Sequence, residues 1–187
     1  MISDLAAVFK RHEPAKWTRT LAYRSRGDLP YDTAAVPAGA PILLDTTVYL
    51  DQLKGDLPRS IVDLVAARRI HHGAPALSEL AAGICLLDPS DPRTVSSRKP
   101  IEETLARVPP QMILVPSDAA WIEASVLAGI LARTQGLPKA DRRKLLNDAL
   151  LFMVAAETGS LLISRNAKDC DLLLQMKPGV PVLLYDR

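Results

Sequence analysis

The sequence predicts a three-layer α/β/α fold built on a central, mostly parallel sheet. Three observations predict it. Apolar runs such as 42–44 and 161–164 are short and continuous, as in strands buried on both faces, and do not alternate in polarity. Stretches with helical spacing separate these runs, the order expected of βαβ units. Aromatic residues make up only 4% of the chain, so Leu, Ile, Val and Ala must fill the core.

Residues 1–40 stand apart from the rest. A short helix is expected at 3–10, after which Pro, Gly and Arg interrupt every period. The segment is expected to be an irregular extension that hugs the surface or is partly mobile. A second reading makes it a clamp on a partner subunit or nucleic acid through Trp17, Tyr23, Arg24 and Arg26. It holds six basic and four acidic residues, so the remaining chain is neutral and the net charge is only +2. That charge is too small to argue for nucleic acid by itself.

From residue 41 onward one domain is expected, 41–187. The first strand, 42–44, ends at Asp45, and a helix follows from about Val48. A second helix spans 59–69, with Ile61, Leu64 and Val65 at helical spacing. A turn holds His71 and His72, and a strand at 74–77 leads to Ser78. Ser78 suits an N-cap, which would put Glu79 in the first turn of a helix to about 87. Residues 88–97, with two prolines, are expected to loop, before a helix at 99–108. A strand at 112–115 and long helices at 118–134 and 139–158 follow. Ser117 caps the first of these helices, and Gly159 stops the second. A strand at 161–164, a helix at 168–176 and a strand at 182–185 complete the order.

Cys85 and Cys170 have no metal-type spacing and are expected to be buried thiols in a reducing compartment. No apolar run approaches a membrane span and no signal peptide is evident, so a cytoplasmic protein without membrane contact is expected.

In an open parallel sheet, ligands bind beyond the carboxyl ends of the strands. Asp45, Glu79, Asp148 and Asp169 all fall where such an edge could collect them. Each also has a plainer role: Asp45 as a helix cap, Glu79 as a partner for a helix dipole, Asp169 as a solvated turn residue. Asp148 is harder to explain so, because it lies beside Leu145, Leu151 and Phe152 near a packed face. Clustered carboxylates need a cation, and an all-oxygen set suits Mg²⁺ or Mn²⁺. Phosphodiester hydrolysis is the chemistry such a site supports.

The segments ILLDTTVYLD (42–51), ALSELAAGI (76–84) and NDALLFMVAAETGSLLISRNAKDCD (147–171) resemble those of PIN domains, and within that group the VapC-type ribonuclease toxins. The last segment is similar to the family's Asp-Ala-Leu-Ile-Ala-Ala, Gly, Thr-Arg-Asn-x-x-Asp arrangement. The resemblance implies metal-binding and catalytic roles for Asp45, Glu79, Asp148 and Asp169, with Thr47, Ser164 and Asn166 hydrogen-bonding around them. It implies an Mg²⁺- or Mn²⁺-dependent endoribonuclease, homodimeric, acting on RNA and neutralised by a small antitoxin protein. The chain departs from the pattern in its leader, in Ser164 for Thr, and in Cys170 where an aromatic residue is usual. Asp171 is expected to be solvated and not a ligand.

Arg165 and Lys168 flank Asp169 and are the candidates for RNA-phosphate contact. The run Arg142–Lys144 is expected to be a solvated helix face, and His71 and His72 are expected to be structural. A phosphatase of the haloacid-dehalogenase type would want a second acid two residues after Asp45, where Thr47 stands. The same acids would also be compatible with a housekeeping nuclease or with a catalytically inactive binding module.

Overall fold

The computed structural model describes residues 5–36 and 38–187. Its sheet is five-stranded and parallel throughout, in the order β3-β2-β1-β4-β5. The strands are β1 (Ile42–Leu44), β2 (Ile70–Gly73), β3 (Ile113–Leu114), β4 (Leu161–Ser164) and β5 (Val182–Leu184). The α/β/α class expected from the sequence is the one found.

Among the described residues there are eight α-helices, α1 ahead of the first strand and the others between strands: α1 (Leu5–His12), α2 (Thr46–Lys54), α3 (Arg59–Ala66), α4 (Ala74–Cys85), α5 (Thr94–Ala106), α6 (Asp118–Thr134), α7 (Lys139–Thr158) and α8 (Ala167–Met176). All three residues of β1, all four of β4 and all three of β5 are buried, which is why these runs are apolar without alternation. On one side α6, α7 and α8 pack on one another; elsewhere α4 packs on α2 and α5, and it also meets α7. Small residues permit the tightest of these contacts, with Ala120, Ala124 and Ala128 of α6 and Ala149 of α7 buried in the core.

Helices α6 and α7 match their expected spans, and Ser117 caps α6 by accepting from the Ala120 N–H at 3.1 Å. Gly159 ends α7 with φ 62°, a left-handed conformation that glycine adopts without strain. Three expectations need correction. Residues 74–77 are the start of α4 and not a strand; the strand is Ile70–Gly73, and it contains His71 and His72. Pro75 in the first turn has no N–H to lose there, and Ser78 donates back to the Pro75 carbonyl instead of capping. Helix α5 begins at Thr94, inside the expected loop, and runs through Pro100.

Gly73 is required by space. A Cβ there would lie 2.3 Å from Cδ1 of Leu151, whose side chain is itself buried and cannot readily retreat. This close approach seats α7 against the end of β2, one turn past Asp148.

Residues 5–36 are fastened to the rest of the chain. Trp17, Leu21, Leu29 and Tyr31 pack against the core. Glu123, on α6, receives Arg11 at 2.9 Å, His12 at 2.7 Å and Lys177 at 2.9 Å. Arg24 donates its backbone N–H at 2.8 Å and its Nε at 2.6 Å to Asp171, and the Leu184 N–H on the edge strand reaches the Pro30 carbonyl at 2.7 Å. The solvated role expected for Asp171 is therefore wrong: it is 1% exposed and anchors the extension. Cys170 is buried as expected, whereas Cys85 is exposed. Among the described residues no helix is long and apolar enough to cross a membrane.

Candidate active site

The strand order reverses at β1, whose neighbours β2 and β4 are reached by connections running in opposite directions across the sheet. Such a switch point leaves a crevice beyond the carboxyl ends of the two central strands. Leu44 pairs with Ile163, so Asp45 and Ser164 emerge side by side at that edge, and the Asp45 N–H continues the ladder to the Ile163 carbonyl at 3.0 Å.

Asp45 is 5% exposed and sits at the N-cap position of α2. Its Oδ2 accepts the hydroxyls of Thr47 (2.7 Å) and Ser164 (2.5 Å). Those hydroxyls are themselves oriented from behind. Thr47 Oγ1 accepts from the Arg165 N–H at 3.1 Å, and Ser164 Oγ from the Asn166 N–H at 2.9 Å. The tight turn after β4 thus aims two donors at one carboxylate.

Asn166 joins the other pair. Its side-chain amide donates to Asp148 at 3.0 Å and to Asp169 at 2.7 Å, linking α7 to the first turn of α8. Glu79, in the second turn of α4 and not its first, accepts from Thr46 at 2.7 Å and from Asn147 at 3.1 Å. Asp45, Glu79, Asp148 and Asn166 line one cleft of 370 Å³, with Lys144 and Arg165 at its margins.

The electrostatics follow from burial and crowding. Burial pushes the Asp148 carboxyl well above its usual range, and the charges of Asp45 and Asp169 push the same way, with Lys144 opposing. Burial also raises Asp45, helped by the charge of Glu79, against the hydrogen bonds from Ser164 and Thr47. Burial, with Asp45 and Asp148 nearby, pushes the Cys170 thiol well up, so it remains a thiol. Lys144 Nζ lies 3.6 Å from Asp169 Oδ2.

Of the residues expected at the site, Asp45, Glu79, Asp148, Thr47 and Asn166 line the cleft, Asp169 is tied to it through Asn166, and Ser164 through Asp45. Among the described residues, however, no three His, Cys, Asp or Glu side chains already converge as a metal-holding group. The oxygens are instead tied to hydroxyl and amide donors. Those donors are neutral and do not cancel the charge, which is why burial and repulsion still raise Asp148.

The candidates for phosphate contact part company. Lys168 is exposed at the start of α8. Arg165 lines the cleft, yet its Nε donates to Asp51 at 2.7 Å. His71 and His72 lie elsewhere: His72 Nδ1 shares a hydrogen with the Tyr49 hydroxyl at 2.6 Å, and His71 Nδ1 faces Ser160 at 3.2 Å. Burial lowers the pKa of both imidazoles.

Sequence reasoning missed Thr46, Asn147 and Asp51, and read Lys144 only as part of a solvated helix face. Thr46 and Asn147 each adjoin a candidate acid, and adjacency alone carried no signal. Lys144 lies one helical turn before Asp148, a spacing that places both on one face. Asp51 lies four residues after Thr47, on the same face of α2, and that spacing could have flagged it.

No family model matches the sequence, and no curated protein matches it. Solved structures do. A chain in the crystal structure of VapBC2 from Rickettsia felis, bound to a DNA fragment from their promoter, superposes with a TM-score of 0.52 at 17% identity, covering 78% of this chain and 99% of that one. A chain of FitAcB from Neisseria gonorrhoeae gives 0.51 at 18% identity, covering 76% and 96%. The chain shares their fold. At these identities the likeness speaks for the fold alone, and it agrees with the α/β/α architecture expected from the sequence.

Proposed function

We propose that this chain is a divalent-cation-dependent endoribonuclease, homodimeric, and the toxin of a toxin–antitoxin pair with a small antitoxin protein. The observation that supports the reading is Asp148, pressed by the charges of Asp45 and Asp169, in a cleft shared with Asp45 and Glu79 at the switch point of a parallel sheet. Bringing a buried carboxylate close to others that are partly buried is costly unless a cation offsets their charge.

Asp45, Glu79, Asp148 and Asp169 would hold the ion, and their all-oxygen set suits Mg²⁺ or Mn²⁺. When bound, such an ion supplies a Lewis acid that activates water and offsets charge building on the phosphate. The chain's own residues do the positioning. Thr47 and Ser164 fix the rotation of Asp45, Asn166 holds Asp148 and Asp169 at a set separation, and Thr46 with Asn147 holds Glu79. Lys168, Lys144 and the exposed third of Arg165 offer positive charge to the incoming phosphate backbone.

The antitoxin and the homodimer rest on the resemblance of 42–51, 76–84 and 147–171 to VapC-type toxins. Cleavage of single-stranded RNA in Mg²⁺ or Mn²⁺, with EDTA and an Asp45→Asn variant as controls, tests the chemistry. Co-purification of a small protein from the native host tests the partner; its absence, with no toxicity on expression, would favour a housekeeping nuclease.

A further inference from the structure

The cleft at Asp45 does not end at Glu79. A second depression of 490 Å³ continues from it between α4 and α7, and the two share Glu79 and Lys144. Its α4 wall presents Ala82, Gly83 and Leu86, and its α7 wall presents Arg143 and Asn147. We infer that this groove seats the single-stranded RNA flanking the scissile phosphodiester, an inference that rests on the nuclease reading above.

Charge is the first argument. Arg143 is exposed and forms no ion pair among the described residues, and Lys144 keeps 65% of its side chain exposed. Two neighbouring cations on one wall, one of them unpaired, suit a phosphate backbone. The facing wall is uncharged from Ala82 to Leu86, and Leu86 stands 80% exposed, offering apolar contact to a base rather than hydrogen-bonded readout. A strand so held would be bound with little sequence preference at this position.

The second argument is Gly83. It lies inside α4, where glycine costs about 1 kcal/mol relative to alanine. Nothing in the fold asks for it, since its backbone is helical and a Cβ added there would meet no atom within 4 Å. The missing side chain opens directly onto the groove. A ligand lying close along α4 supplies the reason that packing does not.

The third is continuity. Glu79, at the junction, has its carboxylate held by Thr46 and Asn147, so a strand leaving the carboxylate cluster passes Lys144 and then Arg143. The groove is thereby a path away from the site.

The test is fluorescence anisotropy of a labelled single-stranded oligoribonucleotide in EDTA. Every protein carries Asp45→Asn, so the strand is not cut. Gly83→Met fills the groove from a position where the fold has room, and its melting temperature should equal or exceed that of the parent. It is expected to weaken binding ~10-fold or more, equivalent to ~1.4 kcal/mol. Arg143→Gln is expected to weaken binding and to reduce the log–log salt slope by about 0.7. Arg59→Gln, an exposed side chain at the start of α3, serves as the control and should change neither. Unchanged affinity in both groove variants overturns the inference. So does intact RNA affinity in Gly83→Met alongside loss of a co-purified protein, which would make the groove a protein-docking surface. Cleavage is assayed separately in Mg²⁺ with Asp45 restored. Absence of cleavage, with binding weakened in both groove variants, would sink the nuclease reading and leave the groove as an RNA-binding site.

Discussion

Arg165 donates its Nε to Asp51 at 2.7 Å, and Asp51 has no exposed surface at all. The same carboxylate accepts the Tyr185 hydroxyl at 2.9 Å and Nε of Arg187 at 3.0 Å. Burial would raise the Asp51 carboxyl, but Arg187, Tyr185 and Arg165 together hold it below its ordinary value. The C-terminal residues thus lock the turn that carries Ser164 and Asn166 into the cleft.

Asp51→Ala should therefore cost about 3 kcal/mol, because it breaks a buried, multiply bonded ion pair. A thermal melt is expected to fall by roughly 6–12 °C for a domain of this size. A change below ~2 °C would show that the cluster contributes little and that the turn is held otherwise.

The raised Asp148 carboxyl makes a prediction of opposite sign. Its folded-state pKa lies above the unfolded value, so the folded state holds the proton more tightly. The stability it contributes is fully present below the unfolded pKa, about 3.9, and is lost as pH rises through the folded value. Asp148→Asn should melt higher than wild type at neutral pH in EDTA, by about 2 °C or more, with the gap closing as pH falls. Mg²⁺ should raise the wild-type melt and leave the variant's unchanged. A variant that melts lower at neutral pH would contradict the crowding argument.

Glu123 behaves in the ordinary way. Burial alone would raise its carboxyl, but hydrogen bonds from Lys177, His12 and Arg11 lower it on balance. Its contribution is present above the unfolded carboxyl value, about 4.3, and is lost as pH falls through the lower folded value. Glu123→Gln should destabilise at pH 7 and converge on wild type in acid, measured by urea unfolding across pH 3–7, about the span of the transition. A difference independent of pH would mean that the cluster of Arg11, His12 and Lys177 holds the N-terminal segment through packing alone.

Much of the architecture is legible in the chain. Apolar runs 42–44 and 161–164 are strands because both sheet faces are covered, and the caps at Ser117 and Gly159 place α6 and α7 to the residue. The second strand is hidden because Ile70–Gly73 contains two histidines, which have no apolar pattern, whereas Ala74–Leu77 does. The four acids can be picked out by their place after strands and on helices. Their supports cannot, since Asn147 reaches Glu79 across 68 residues and Arg24 reaches Asp171 across 147. Asp171 reads as solvated for that reason: its partner lies in a segment with no local period.

The proposed nuclease centre at Asp45 is cation-dependent. Cleavage of single-stranded RNA by the wild type in Mg²⁺ or Mn²⁺, set against Asp45→Asn in the same buffer, tests it most directly. The expected result is cleavage that EDTA abolishes and that Asp45→Asn reduces at least ~100-fold. Full activity in Asp45→Asn would contradict it.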